Sequence, residues 1–176
     1  MAEFAPAHVF VHAGAVAWNG RGVVIPGASY TGKSTLVAEL VRAGATYLSD
    51  EYAVFDPSGR LHPYAKPLSL RRSDGLQVDH SVESLGGSAG RESVELAVVI
   101  SAPFAEPVAG WTASEVSCGQ GVLLLLENAI AARRSAERCV SALGMAVQGA
   151  VTLCGPRGDA ALAVPRIVER LEKACC

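Results

Sequence analysis

Eight residues, Gly27-Ala28-Ser29-Tyr30-Thr31-Gly32-Lys33-Ser34, match the pattern GxxxxGK[ST] position for position. The spacing has a chemical reason. Two glycines let backbone N–H groups turn inward, and the helix that follows presents its positive N-terminal end to phosphates. Lys33 reaches the β- and γ-phosphates as a point charge, and the Ser34 hydroxyl is placed to ligate Mg²⁺. The flanks fit the motif. Gly22-Val23-Val24-Ile25 reads as a buried strand before the loop, and Leu36, Val37, Leu40 and Val41 form the apolar stripe of a helix after it. Gly44 stands where a C-terminal helix glycine belongs. The loop residues, with Thr35 next along, are therefore the expected nucleotide contacts, and the expected ligands are ATP and Mg²⁺.

Phosphoryl transfer also needs a metal ligand beyond Ser34 and a group to take the proton of a hydroxyl acceptor. Asp50 and Glu51 follow a predicted strand over Thr46–Ser49, at the sheet edge that lies beside a phosphate loop. Adjacent carboxylates on a strand point to opposite faces, so one of the two is expected to meet the metal directly. His12 ends an apolar run, Val9–His12. By itself a histidine near a strand end is more often structural than catalytic, and His8, His62 and His80 read as structural.

The rest of the chain organises around one domain of 176 residues. Asn19-Gly20 predicts a hairpin between the runs ending at His12 and starting at Gly22. Asp56-Pro57-Ser58-Gly59 predicts a second hairpin between Tyr52–Phe55 and Arg60–His62. Pro67–Leu70 and Leu96–Ser101 read as strands, and the polar, glycine-rich stretch from Arg72 to Arg91 as a loop. Ser114–Asn128 and Ala131–Val147 have helical periodicity. Val151–Cys154 reads as a strand and Val164–Ala174 as a closing helix.

Composition narrows the partners. The formal charge is −2 without basic runs, which speaks against nucleic acid. No apolar stretch approaches a membrane span, and the N-terminus lacks a basic region before an apolar one. Five cysteines without CxxC spacing read as reduced thiols in a cytoplasm. Cys175-Cys176 and the Asp56-Pro57-Ser58-Gly59 segment imitate features of small GTPases, but no NKxD sequence is present to recognise guanine.

Taken together, these spacings resemble the catalytic domain of the HPr kinase/phosphorylase family. His12 lies 15 positions before Gly27, and Asp50 lies 17 after Lys33. Thr35 to Gly44 is similar to the family's helix, and Lys66-Pro67-Leu68-Ser69-Leu70-Arg71 to a segment of its shorter relatives. The resemblance implies a P-loop α/β fold of the HPr kinase and phosphoenolpyruvate carboxykinase type, with a mixed sheet, hairpin extensions and a helical C-terminal part. It implies a kinase with Asp50 as the base that deprotonates the acceptor hydroxyl, His12 beside it assisting, and Glu51 in the second acidic position. Lys66 and Arg71 would be basic residues able to face the phosphates. The implied acceptor is serine of a peptide or protein, including ribosomally made peptides, with a small-molecule alcohol as an alternative and self-association left open. Three departures stand out: Tyr30 where the family loop has glycine, Glu51 for a second aspartate, and no counterpart of the N-terminal domain of true HPr kinases. A nucleotide-binding regulatory protein without transfer activity, or a simple NTPase, is the rival expectation.

Overall fold

Alternating apolar and small residues build the centre of the molecule. In the computed structural model, which describes residues 7–28, 31–71, 76–130 and 132–175, the long strand β1 (Val9–Trp18) turns at Asn19-Gly20 into β2 (Arg21–Pro26). Both turn residues take positive φ, 50° and 75°, as an Asn-Gly hairpin requires. β1 runs further than its apolar start suggested, because Ala13, Ala15 and Ala17 continue the buried alternation.

The phosphate loop leads into α1 (Lys33–Arg42), followed by β3 (Thr46–Ser49), β4 (Tyr52–Phe55) and β5 (Leu61–His62). Next come β6 (Leu68–Arg71), β7 (Gln77–His80), a short 3₁₀ turn at Glu83–Leu85 and β8 (Leu96–Ser101). The chain closes with β9 (Ser114–Val116), α2 (Cys118–Glu127), α3 (Ala136–Val147), β10 (Val151–Cys154) and α4 (Ala160–Ala174).

Among the described residues, eight strands form one mixed sheet, ordered β5-β4-β1-β2-β8-β10-β9, with β3 on the β4 side of β1. β2, β8 and β10 are parallel, and the remaining neighbours are antiparallel. One face carries Val16, Val23, Ile25, Val98 and Ile100 against α1 and α4. The other carries Val11, Ala13, Ala15, Val24 and Val99 against α2 and α3. The fold is thus α/β, with a sheet between two helical layers. No helix among the described residues is long and apolar enough to cross a membrane.

Several expectations need correction. The stretch read as a loop after Arg72 contains β7, which pairs antiparallel with β6; residues 72–75 lie outside the described residues. Its glycines serve close approach. Tyr47 N–H donates to Ser88 O and Gly90 N–H to Tyr47 O, and a Cβ on Gly90 would come 2.5 Å from the Leu48 side chain. Glycine richness there marks a segment pressed onto β3.

The second correction concerns the region beginning at Ser114, where a strand precedes the helix. Ser117 starts α2 with a capping box to Gln120, and Ser114–Val116 pairs with β10. The helix predicted from Ala131 starts at Ala136, with Ala131 itself outside the described residues. The closing helix starts earlier than its apolar pattern indicated, at Ala160, because Asp159 caps it through Ala161 N–H.

Candidate functional site

The site forms where β2 and β3, parallel to each other across β1, both end. β2 delivers the loop and β3 delivers the two carboxylates. Gly32 adopts φ 80°, ψ 19°, and α1 starts immediately after it. Its first helical bond runs from Leu36 N–H to Gly32 O at 3.0 Å, which leaves the N–H groups of Lys33, Ser34 and Thr35 outside the helical ladder. No acidic residue or side-chain cap neutralises this end, so its partial positive charge is available to an anion. Thr31 Oγ1 and Lys33 Nζ both donate to Ala28 O, at 2.9 and 2.7 Å, and brace the loop from within. Lys33 is 7% exposed, and burial lowers its pKa although the Asp50 charge opposes this. Ser29 and Tyr30 lie outside the described residues.

Asp50 and Glu51 occupy a kink between β3 and β4. Both strands lie on the same edge of β1, with a register shift between Ala15 and Val16. The buried Ser49 hydroxyl accepts from Glu51 N–H at 3.2 Å and from Tyr52 N–H at 3.0 Å, and Ala13 N–H donates to Glu51 O. The kink breaks strand alternation, so both carboxylates line one cleft and do not point to opposite faces as the extended-strand expectation had it.

Asp50 is the better engaged of the two. Ser69 N–H donates to Oδ2 and the Tyr47 hydroxyl lies 3.2 Å from Oδ1. Burial raises the Asp50 pKa, against hydrogen bonds from Ser69, Ser34 and Tyr47 that lower it. Ser34 and Asp50, predicted separately as metal ligands, line the same cleft. Glu51 instead pairs with Lys66, whose Nζ lies 2.6 Å from Oε2, and Lys66 lines the same cleft. The Arg71 side chain lies outside the described residues.

His12 faces the same cleft of about 680 Å³, together with Lys33, Ser34, Asp50, Glu51 and Lys66. Burial and the Lys33 charge lower its pKa, while Glu51 and a hydrogen bond to the Gly27 backbone oppose the shift. The β6–β7 hairpin closes one side with Ser69, Gln77 and Asp79. His62 and His8 keep structural roles: His62 Nε2 lies 2.8 Å from Asp56 Oδ2, and His8 packs edge-on against the His62 ring.

Two residues went unread in the sequence. Tyr47 is fully buried behind Asp50. Arg157 is 2% exposed and donates from Nη2 to Gly32 O at 2.9 Å. A signal for Arg157 existed: Gly155-Pro156-Arg157-Gly158-Asp159 leaves the end of a strand parallel to β2, the edge on which the phosphate loop lies.

No family model matches the chain, and no curated protein matches it at a significant level. Among solved structures, it is similar to the HPr(Ser) kinase/phosphatase from Coxiella burnetii, at 15% identity over 93% of each chain with a TM-score of 0.45. That is a distant likeness of fold.

Proposed function

We propose that the cleft binds ATP with Mg²⁺ and transfers the γ-phosphoryl group to a hydroxyl, that of serine in a peptide or protein. The observation that carries this reading is that Ser34 and Asp50 line one cleft with the buried Lys33 at the open end of α1. A hydroxyl and one carboxylate are hard oxygen donors of the kind Mg²⁺ takes, and such sites use one or two carboxylates with the phosphates completing the shell. Mg²⁺ held there would neutralise charge on the β- and γ-phosphate oxygens.

The chain's own groups divide the remaining work. Lys33 exchanges its bond to Ala28 O for phosphate oxygens. Asp50, held in the cleft by Ser69 N–H and the Tyr47 hydroxyl, accepts the acceptor's hydroxyl proton. The acceptor oxygen bonds to the γ-phosphorus as the bond to the bridging oxygen breaks, and ADP leaves. His12 stands neutral in the same cleft and supports the proton transfer. Cys118, Cys139 and Cys154 are free thiols, in keeping with the cytoplasmic location we propose.

Incubation with γ-labelled ATP, Mg²⁺ and serine-containing peptides tests the reading. Label on a peptide supports it. Free phosphate alone would make the protein an NTPase, and bound ATP with neither product would make it a nucleotide-binding regulatory protein.

A further inference from the structure

Arg157 sits beneath the phosphate loop with no obvious reason to carry a charge there. Its Nη1 donates to Gly158 O at 2.8 Å and its Nη2 to Gly32 O at 2.9 Å, while Nε is buried without a hydrogen-bond partner among the described residues. Asp159 is the carboxylate whose charge reaches it, but that side chain already caps α4 through Ala161 N–H. The guanidinium also lies at the N-terminus of α1, where a helix disfavours a cation. Burying an incompletely paired charge is costly. Both costs are recovered when a polyanion arrives, because the field that opposes a cation attracts phosphate.

The geometry points the same way. Arg157 and Lys33 both line one small cavity of about 90 Å³, together with Gly27, Thr31 and Gly32. Gly32 O accepts both the first helical N–H of α1 and the guanidinium. A Cβ on Gly32 would run into Arg157 Nη2, so glycine here answers to the close approach of the arginine as well as to its positive φ.

Resting on the nucleotide reading above, we propose that Arg157 is the second fixed cation of the phosphate site: a positioning residue that holds the Gly32 carbonyl from behind and contributes its charge to polyphosphate binding. The forked donor and the charge act together. One fixes the turn that aims the N–H groups of Lys33, Ser34 and Thr35, and the other deepens the positive potential they share.

Calorimetric titration of inorganic triphosphate into native protein, R157K and R157Q separates charge from hydrogen bonding. R157Q keeps a donor for Gly32 O and loses the charge, so its affinity should fall about tenfold or more. R157K keeps the charge and should stay within about threefold of native. Native-like affinity in R157Q, or equal losses in both variants, would overturn the proposal. Native protein that binds no triphosphate would instead sink the nucleotide reading itself. Should R157Q not fold, the arginine Nε–H resonance that disappears in R157K reports on native protein. It should shift as triphosphate is added, and a resonance that stays fixed would overturn the proposal.

Discussion

The Tyr47 hydroxyl lies 2.9 Å from the carbonyl oxygen of Lys66 and 3.2 Å from Asp50 Oδ1. One proton therefore ties the carboxylate at the end of β3 to the segment that carries the partner of Glu51. Burial and the Asp50 charge push the Tyr47 pKa above its ordinary value, so the phenol stays a donor at any working pH. Tyr47→Phe should cost about 1–3 kcal/mol in urea unfolding, because it strands buried acceptors. ATP affinity should change less than phosphoryl transfer, since the loop does not touch this hydroxyl. Unchanged stability and transfer would show that Asp50 does not depend on the Tyr47 hydroxyl.

Asp50→Asn separates binding from chemistry at nearly constant volume. A positioned general base contributes about 10²- to 10⁴-fold, so single-turnover transfer should fall by that order at saturating ATP and Mg²⁺. Glu51→Gln weakens only the pair with Lys66, both partners of which are about 40% exposed, and should be milder. The reverse ranking would assign the chemistry to Glu51.

His12→Ala tests a pH effect. Burial and Lys33 lower the His12 pKa below its ordinary 6.5, so the folded protein resists protonating it. The unfolded chain takes up that proton first as pH drops below 6.5, and native stability should fall there. His12→Ala should lose that component of the acid sensitivity, bind ATP at pH 7 much as native protein does, and show reduced transfer with an altered acid limb. A variant that is simply insoluble would mark His12 as structural.

How far the sequence could be read follows from where each signal resides. The loop, the Asn19-Gly20 turn and the β4–β5 hairpin were legible because each is a local code in which a few adjacent residues set the backbone. The spacing of His12, Lys33 and Asp50 was legible through the family resemblance, and a position inside β1, the start of α1 and the residue after β3 line one cleft. Tyr47 and Arg157 were not, because their importance arises only when Asp50 and Gly32 are brought to them by the fold. The Gly86–Gly90 stretch misled because glycine serves mobility and close packing alike, and only the contact with Leu48 distinguishes them. The Asp50-Glu51 kink depends on the buried Ser49 hydroxyl, which looks like any strand serine in the sequence.

Asp56 shows why its imitation of a GTPase switch misleads. Its carboxylate accepts from Ser58 N–H, Arg60 N–H and the Ser58 hydroxyl and pairs with His62. It organises a hairpin. Burial alone would raise its pKa, but these bonds outweigh burial and hold it well below the ordinary value of 3.8. The stability this gives is present above the unfolded value and lost as pH falls through the folded one. Asp56→Asn should cost roughly 1–2 kcal/mol at pH 7 and flatten the acid end of the stability curve, measured by urea unfolding from pH 7 downward. An unchanged curve would contradict the hairpin role.

The central claim is that this cleft is a triphosphate site built on Lys33 and Ser34, and calorimetry of ATP with and without Mg²⁺ tests it most directly. Native protein should bind ATP, and more tightly with Mg²⁺. Lys33→Ala, folded by circular dichroism, should lose a charge-assisted contact worth about 1.5–3 kcal/mol, or about ten- to a hundredfold in affinity. Native protein that binds no ATP, or a folded Lys33→Ala variant with undiminished affinity, would contradict the account.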